Sequence, residues 1–219
     1  NLSCILTIHD VTEEKQLEQM KLDFVSMAAH ELRTPLTSLK GYLHIFVRDY
    51  QGSLDQKQKT IMQRLSVSTQ KLASLVDNLL NIARIERGSL TLNLKPLDWI
   101  ENVKTVLVDF MDQAKDKKLE LTVDFPSKVL PQVNVDALRI NEVLSNLISN
   151  AINYTQPLGK IRIRVERIGD EIITHVTDTG NGIPKEALPH LFTKFFRVSG
   201  KLEEGSKGTG LGLYIAKSI

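Results

Sequence analysis

The sequence predicts two units in series: an α hairpin forming a dimeric four-helix bundle, followed by an α/β two-layer sandwich. Three observations carry this. Residues 12–89 set apolar side chains at steps of three and four, and only Pro35, Gly41 and Gly52 interrupt before Gly88. From residue 90, short stretches that alternate apolar and polar side chains take turns with helix-period stretches. The 219 residues, 42% of them hydrophobic, suffice for one large domain or two ordinary ones and argue against disorder.

The first helix opens near Thr12, Glu14 and Lys15, and carries Leu17, Met20, Phe24, Ala28, Leu32, Leu36, Leu39, Leu43 and Phe46 as its stripe. Gln51-Gly52-Ser53 breaks it. The second helix repeats more cleanly, through Ile61, Leu65, Ser68, Leu72, Leu75, Leu79 and Ile82. Such spacing means a long packed seam, and two helices alone bury too little, hence the expected homodimer. After Gly88-Ser89, Leu90, Leu92 and Leu94 read as a half-buried strand. Asp98 to about Lys117 reads as a helix, residues 119–125 and 133–135 as strands, and Asp136 to Asn153 as a helix. Ile161–Val165 and Ile172–Val176 read as a hairpin across Gly169-Asp170. Gly180 to Gly208 reads as a long loop with a short helical stretch, and loops of that length are usually functional. The boundaries are therefore 1–11 for the end of an upstream domain, 12–89 for the hairpin and 90–219 for the sandwich.

Composition excludes several classes. One cysteine, Cys4, allows no disulfide framework and no four-thiolate zinc site within the chain. The net charge of +2 divides as 11 basic against 10 acidic residues up to Ser89, and 17 against 16 beyond. That field is too weak to imply nucleic acid or a membrane surface. No apolar run approaches the roughly 18–20 residues that span a bilayer, and there is no signal peptide, so the segment is expected to be soluble and cytoplasmic, with an upstream anchor left open. Asn1, the β-prone Leu2–Ile8 and the uncapped apolar stretch 211–219 read as cut ends.

The chemistry starts at His30. On a helix it points away from the Ala28–Leu32 stripe, so it is expected to be exposed. It stands in His30-Glu31-Leu32-Arg33-Thr34-Pro35-Leu36, and a mid-helix proline costs about 3 kcal/mol. A neutral imidazole is a nucleophile near pH 7, and a carboxylate on its other nitrogen orients the ring. Residues 24–37 together resemble the H box of the sensor histidine kinases of two-component systems. The resemblance implies that His30 is the phosphoacceptor, that Glu31 is the adjacent acid/base, and that Thr34 positions a water for dephosphorylating a partner response regulator.

The second unit holds three further segments. Asn146 and Asn150 lie four apart on one helix face, and neutral amide oxygens suit a Mg²⁺ ion already carrying anionic phosphates. Alone, the pair is a weak signal and reads better as surface asparagines near a helix end. Asp178-Thr179-Gly180-Asn181-Gly182-Ile183 follows a strand, where a carboxylate accepts from an exocyclic amine and glycines admit a flat ring; a plain turn stays open. Gly208-Thr209-Gly210-Leu211-Gly212 precedes a helix and would offer N–H groups to phosphates; a flexible linker stays open.

In this order the segments resemble the N box and two glycine boxes of the histidine-kinase-type ATP-binding fold, shared with the gyrase B subunit, MutL and the 90-kDa heat-shock chaperone. Phe192 to Arg197 resembles the F box between them. The resemblance implies ATP and Mg²⁺ as cofactors, with Asn150 on the metal and Asn146 nearby, Asp178 on the adenine amine, Gly180 and Gly182 at the ring edge, and Tyr154 and Ile183 also among the nucleotide-binding residues. It further implies Gly208, Thr209, Gly210, Leu211 and Gly212 at the phosphates, residues 184–207 as a mobile lid, and Arg197 near the γ-phosphate. Two departures stand out. Asn153 occupies a place where the family often has Lys or Arg, for which Lys185, Lys201 or Lys207 would have to substitute. The family also continues into two more strands, so the sheet is expected to lack its last strands. Residues 8–15 resemble the exit of a PAS sensor domain.

The function so implied is ATP-dependent phosphorylation of His30 and transfer to an aspartate of the response regulator. Two rivals remain: a MutL-like conformational ATPase, which leaves the His30 motif unexplained, and a degenerate kinase acting as a dimeric scaffold for a response regulator.

Overall fold

The structure is a computed structural model that describes residues 9–50, 52–198 and 208–219. The stretch Leu2–Ile8 with Cys4, Gln51, and the lid residues Lys201 and Lys207 lie outside the described residues. The chain divides into two compact units between Leu90 and Thr91.

The first unit is two helices, α1 (Thr12–Tyr50) and α2 (Gln56–Glu86). The Asp10 carboxylate accepts the Thr12 N–H at 2.9 Å, so the cap stands two residues before the Thr12 start read from sequence. Asp55 opens α2 with a reciprocal box: its carboxylate accepts the Gln58 N–H at 2.8 Å, and the Gln58 side chain accepts the Asp55 N–H at 2.9 Å. The Ser53 N–H and hydroxyl both donate to the Tyr50 carbonyl at 2.9 Å, which turns the chain back. Ion pairs Asp23–Arg87 and Arg33–Asp77 show the helices running antiparallel.

Most of the stripe read from the sequence is not the seam between these two helices; of the α1 stripe, Leu36 alone joins the buried cluster between them. Ile61, Leu65, Leu72 and Leu75 are exposed, as are Leu17, Met20, Phe24, Leu32, Leu39 and Phe46. The helices meet through Ala29 and Leu36 of α1 and through Val76 and Leu80 of α2, and Thr69 and Ala83 are buried on the same face of α2. On α2 this inner stripe sits one residue after the outer one, about 100° round the helix. Periodicity finds the more apolar stripe, and here the inner stripe is built partly from alanine and threonine, which let the backbones approach. On α2, Leu79 and Ile82 near its end leave the exposed stripe and become covered, and on α1 Leu36 is buried while Ala28 and Leu43 are half-buried.

In the second unit, α3 (Trp99–Asp116) and α4 (Ala137–Tyr154) lie on one face of a sheet ordered β2 (Glu120–Asp124), β4 (Lys160–Ile168), β5 (Glu171–Asp178). β2 and β4 are parallel; β4 and β5 form an antiparallel hairpin turned at Gly169, whose φ is +62°. β1 (Lys95–Leu97) and β3 (Val133–Val135) pair separately. Ile161, Ile163 and Val165 point inward, at most 2% exposed, against Val103, Leu107, Phe110, Leu144, Ile148 and Ile152. The intervening Arg162 and Arg164 point outward and pair with Asp124 and Glu166. This is the two-layer sandwich expected.

The strand expected at Leu90, Leu92 and Leu94 does not form. The segment is irregular, and Leu92 and Leu94 are 44% and 52% exposed. Regular pairing starts only at Lys95, opposite Val135. In the preceding stretch the Asn93 N–H donates to Asp136 at 2.9 Å. The other oxygen of Asp136 caps α4 by accepting the Arg139 N–H at 3.2 Å.

The Asn93 bond first, and the cap second, hold the Asp136 carboxyl below the ordinary carboxylate range. A folded pKa below the unfolded one stabilises at neutral pH, and the gain is lost as pH falls through the lowered folded value. Asp136→Ala is therefore expected to lower the urea midpoint at neutral pH. The gap to the parent should close in acid, below the ordinary carboxylate value of about 3.9. Urea melts across that range check this; an equal gap throughout would show that the charge is not what matters.

Candidate functional site

On the helical unit, His30, Glu31 and Thr34 are exposed on α1, beside Ala29, which is fully buried. His30 and Thr34 are four apart and share a face; Pro35 follows inside the helix. Pro35 has no N–H, so the Glu31 carbonyl, one turn earlier, lacks its usual helical donor. The two cross-hairpin ion pairs sit on either side of His30 along α1, at Asp23 and Arg33.

On the second unit, α4 carries Asn146, Asn150 and Tyr154 at steps of four. Asn146 and Asn150 are half-buried, and neither side chain has a hydrogen-bond partner among the described residues. Two glycine segments close on this helix. At its C-terminal end, a Cβ on Gly180 would stand 2.6 Å from the Tyr154 carbonyl oxygen. Asp178 Oδ1 accepts the Gly180 N–H at 2.8 Å, and the Asn181 N–H donates to the Tyr154 carbonyl at 3.3 Å. The turn after β5 is thus locked to the end of α4, with the Asp178 carboxylate exposed at its lip and Gly182 (φ +68°) and Ile183 following. On the other side, α5 (Gly212–Ser218) abuts the same helix, and a Cβ on Gly212 would stand 2.8 Å from Asn146 Oδ1. A Cβ on Gly208 would lie 4.0 Å from the Tyr154 hydroxyl. The Thr209 hydroxyl accepts the Leu211 N–H at 3.2 Å, and Leu211 is buried. The structure therefore brings the asparagines, Tyr154 and both glycine segments around one helix.

The segment 190–197 is pinned to α5 by its rings. Lys194 Nζ lies 5.5 Å from the Tyr214 ring centre, and Lys217 Nζ 5.4 Å from that of Phe192. Arg197 is exposed and engaged in an interaction of its own. A short 3₁₀ helix (Lys185–His190) precedes this segment.

Three contributors are not visible in the sequence. Phe195 adopts φ +60°, rare for a side chain, and its backbone lies against Gly210. Lys117 donates to the Ile152 and Asn153 carbonyls at 2.7 and 2.8 Å, capping the end of α4; burial pushes its pKa down. Asp77 grips Arg33 from α2. Asn153 itself is exposed and donates to the Ser149 hydroxyl at 3.3 Å. Among the described residues no three His, Cys, Asp or Glu side chains gather as a metal site. The neutral amides of α4 fit a cation that arrives with its own phosphate ligands.

Comparison with known proteins follows the same division. Residues 20–88 match the His Kinase A (phospho-acceptor) domain, and residues 135–219 match the histidine kinase-, DNA gyrase B-, and HSP90-like ATPase family. The histidine kinase AdeS of Acinetobacter baumannii is 31% identical with a TM-score of 0.57, over 86% of this chain and 84% of that structure. The chain belongs to the histidine kinase family. Sensor protein SrrB of Staphylococcus aureus (strain N315) is 35% identical to this histidine kinase over 215 residues, which is 98% of the chain and 36% of SrrB. The kinase chain thus spans about a third of the length of that relative. Full-length ShkA, crystallised in complex with AMPPNP, superposes with a TM-score of 0.70 at 26% identity, over 90% of this chain and 40% of ShkA. Among the described residues no helix of the kinase chain is long and apolar enough to cross a membrane.

Proposed function

We propose that this chain is the catalytic core of a sensor histidine kinase that phosphorylates His30 from Mg-ATP and passes the phosphoryl group to an aspartate of a response regulator. The observation that supports this best is the pairing of an exposed His30-Glu31 on one unit with a second unit whose asparagine helix is closed by two glycine segments. His30 Nε2 would attack the γ-phosphorus in line, the bond to the β-phosphate oxygen would break, and ADP would leave. Glu31 would hold the Nδ1 proton and keep the ring turned for attack. Asp178 would accept from the adenine amine, and the N–H groups of residues 208–212 would face the phosphates. Mg²⁺, when bound, would neutralise phosphate charge, with Asn150 offering its amide oxygen. The phosphoryl group would then leave His30 for the regulator's carboxylate, and Thr34 would orient a water in the reverse, dephosphorylating role. The exposed outer stripes of α1 and α2 fit a homodimer, and the setting would be cytoplasmic.

Incubation with γ-labelled ATP tests the proposal. Acid-labile, base-stable label is expected on the parent and none on His30→Gln. Label that persists in His30→Gln would overturn the assignment of His30. A parent that never labels would favour the scaffold reading.

A further inference from the structure

We propose that Arg33 contacts the phosphoryl group as it arrives on His30, and that Asp77 is the positioning residue that holds Arg33 ready. The inference rests on the reading of His30 as phosphoacceptor and adds a residue pair that no motif assigned.

The geometry comes from the helix and from one ion pair. Arg33 is three residues beyond His30, so the two side chains share a face about 5–6 Å apart at Cβ. Helical side chains lean toward the N-terminus, which tips Arg33 back over the turn that carries His30. Across the hairpin, Asp77 Oδ1 accepts from Arg33 Nε at 3.1 Å and from Nη2 at 2.5 Å. A guanidinium has five N–H donors in a planar fork. Asp77 takes two of them along one edge. The remaining three, on Nη1 and Nη2, have no partner among the described residues and lie on a side chain that is 40% exposed. The ion pair therefore fixes the plane of the fork and leaves its outer edge available to oxygens. An exposed pair of this kind adds little to folding stability. Its effect is directional: it holds a cation beside the site where two negative charges are about to be placed.

A second bridge supplies the control. Asp23 pairs with Arg87 at 2.6 Å in the same hairpin, with a similarly exposed carboxylate. Asp23 precedes His30 by two turns, and its cation stands at the end of α2, outside the turn of His30.

The test measures the initial rate of His30 labelling from γ-labelled ATP in the full chain, as a function of ATP concentration. Arg33→Gln is expected to lower kcat by roughly 10–100-fold, as for loss of a charged donor to a developing phosphoryl charge. KM for ATP should stay within about twofold, since the lost contact forms only during transfer. Arg33→Lys should not restore the rate, because an ammonium cannot serve two partners along two edges. Asp77→Asn should fall by roughly 3–10-fold, keeping the cation but loosening its aim. Asp23→Asn should stay near the parent, and thermal melts should place it level with Asp77→Asn. A parent that takes up no label removes the phosphoacceptor reading and this inference with it. A labelled parent matched in rate by Arg33→Gln overturns this inference alone. Equal losses in Asp23→Asn and Arg33→Gln would also overturn it, since both would then reflect only the hairpin.

Discussion

Gly210→Ala is expected to weaken nucleotide binding by at least about tenfold while leaving the hairpin intact. Two terms act together there. Gly210 has φ +72°, in the left-handed region where an L side chain costs about 1–2 kcal/mol. A Cβ would also stand 2.7 Å from the Phe195 carbonyl carbon and 2.8 Å from the Phe196 carbonyl oxygen. Those atoms are backbone and cannot swing aside as a side-chain end can. Overpacking of this kind costs about 1–3 kcal/mol more. Phe195 has no slack to offer, because it already sits at φ +60°. The strain would be relieved by moving the 208–212 segment away from residues 195–196, and with it the N–H groups proposed to meet the phosphates. Each 1.4 kcal/mol is a factor of about ten in affinity. Gly182→Ala is the matched comparison: φ is +68°, but nothing lies within 4 Å of the added Cβ, so only the conformational term applies. Calorimetric titration with a non-hydrolysable ATP analogue should rank parent, Gly182→Ala and Gly210→Ala in that order of affinity. Equal affinities for parent and Gly210→Ala would show that this segment does not shape the site.

The contrast between these glycines also marks what the sequence alone makes legible. Both stand out there as glycines near a helix start or after a strand. That one opens into space and the other lies against Phe195 is a tertiary fact, carried by a residue that no turn preference marks as left-handed. The helices α3 and α4 are legible because their buried positions, such as Val103, Leu107, Phe110 and Ala114, recur at helical spacing and face one sheet. The β4–β5 hairpin is legible because its alternation is interrupted by Gly169-Asp170. The irregular 90–94 stretch deceives because alternation requires only a sequence, whereas a strand requires a neighbour, and β3 begins its pairing further along. Asp77 carries no signal of its own: it is one of two acidic residues on α2, with Glu86, and its partner lies 44 residues away.

The hairpin stripes give the other large effect. Ala29, Leu36, Val76 and Leu80 are the buried cluster that joins α1 to α2, with Leu79 against it. Leu80 is 2% exposed, and a cluster this small has few neighbours able to collapse into a void. Leu80→Ala is expected to cost about 2–5 kcal/mol and to lower the helical melt accordingly. Leu72, one stripe over, is 47% exposed within the single chain, so its truncation should leave the hairpin's own packing almost unchanged. In the proposed homodimer, however, Leu72 would lie in the apolar stripe that the second copy covers, and a charge there would be buried unpaired. Leu72→Glu should therefore sediment at the mass of one chain, with a melt that no longer rises with concentration. Leu80→Ala should melt lower at every concentration and still dimerise when folded. The physical distinction is between a stripe that defines the protomer and one that defines the pair. A Leu72→Glu chain that kept the mass of two copies would show that the exposed stripe is not the dimer seam.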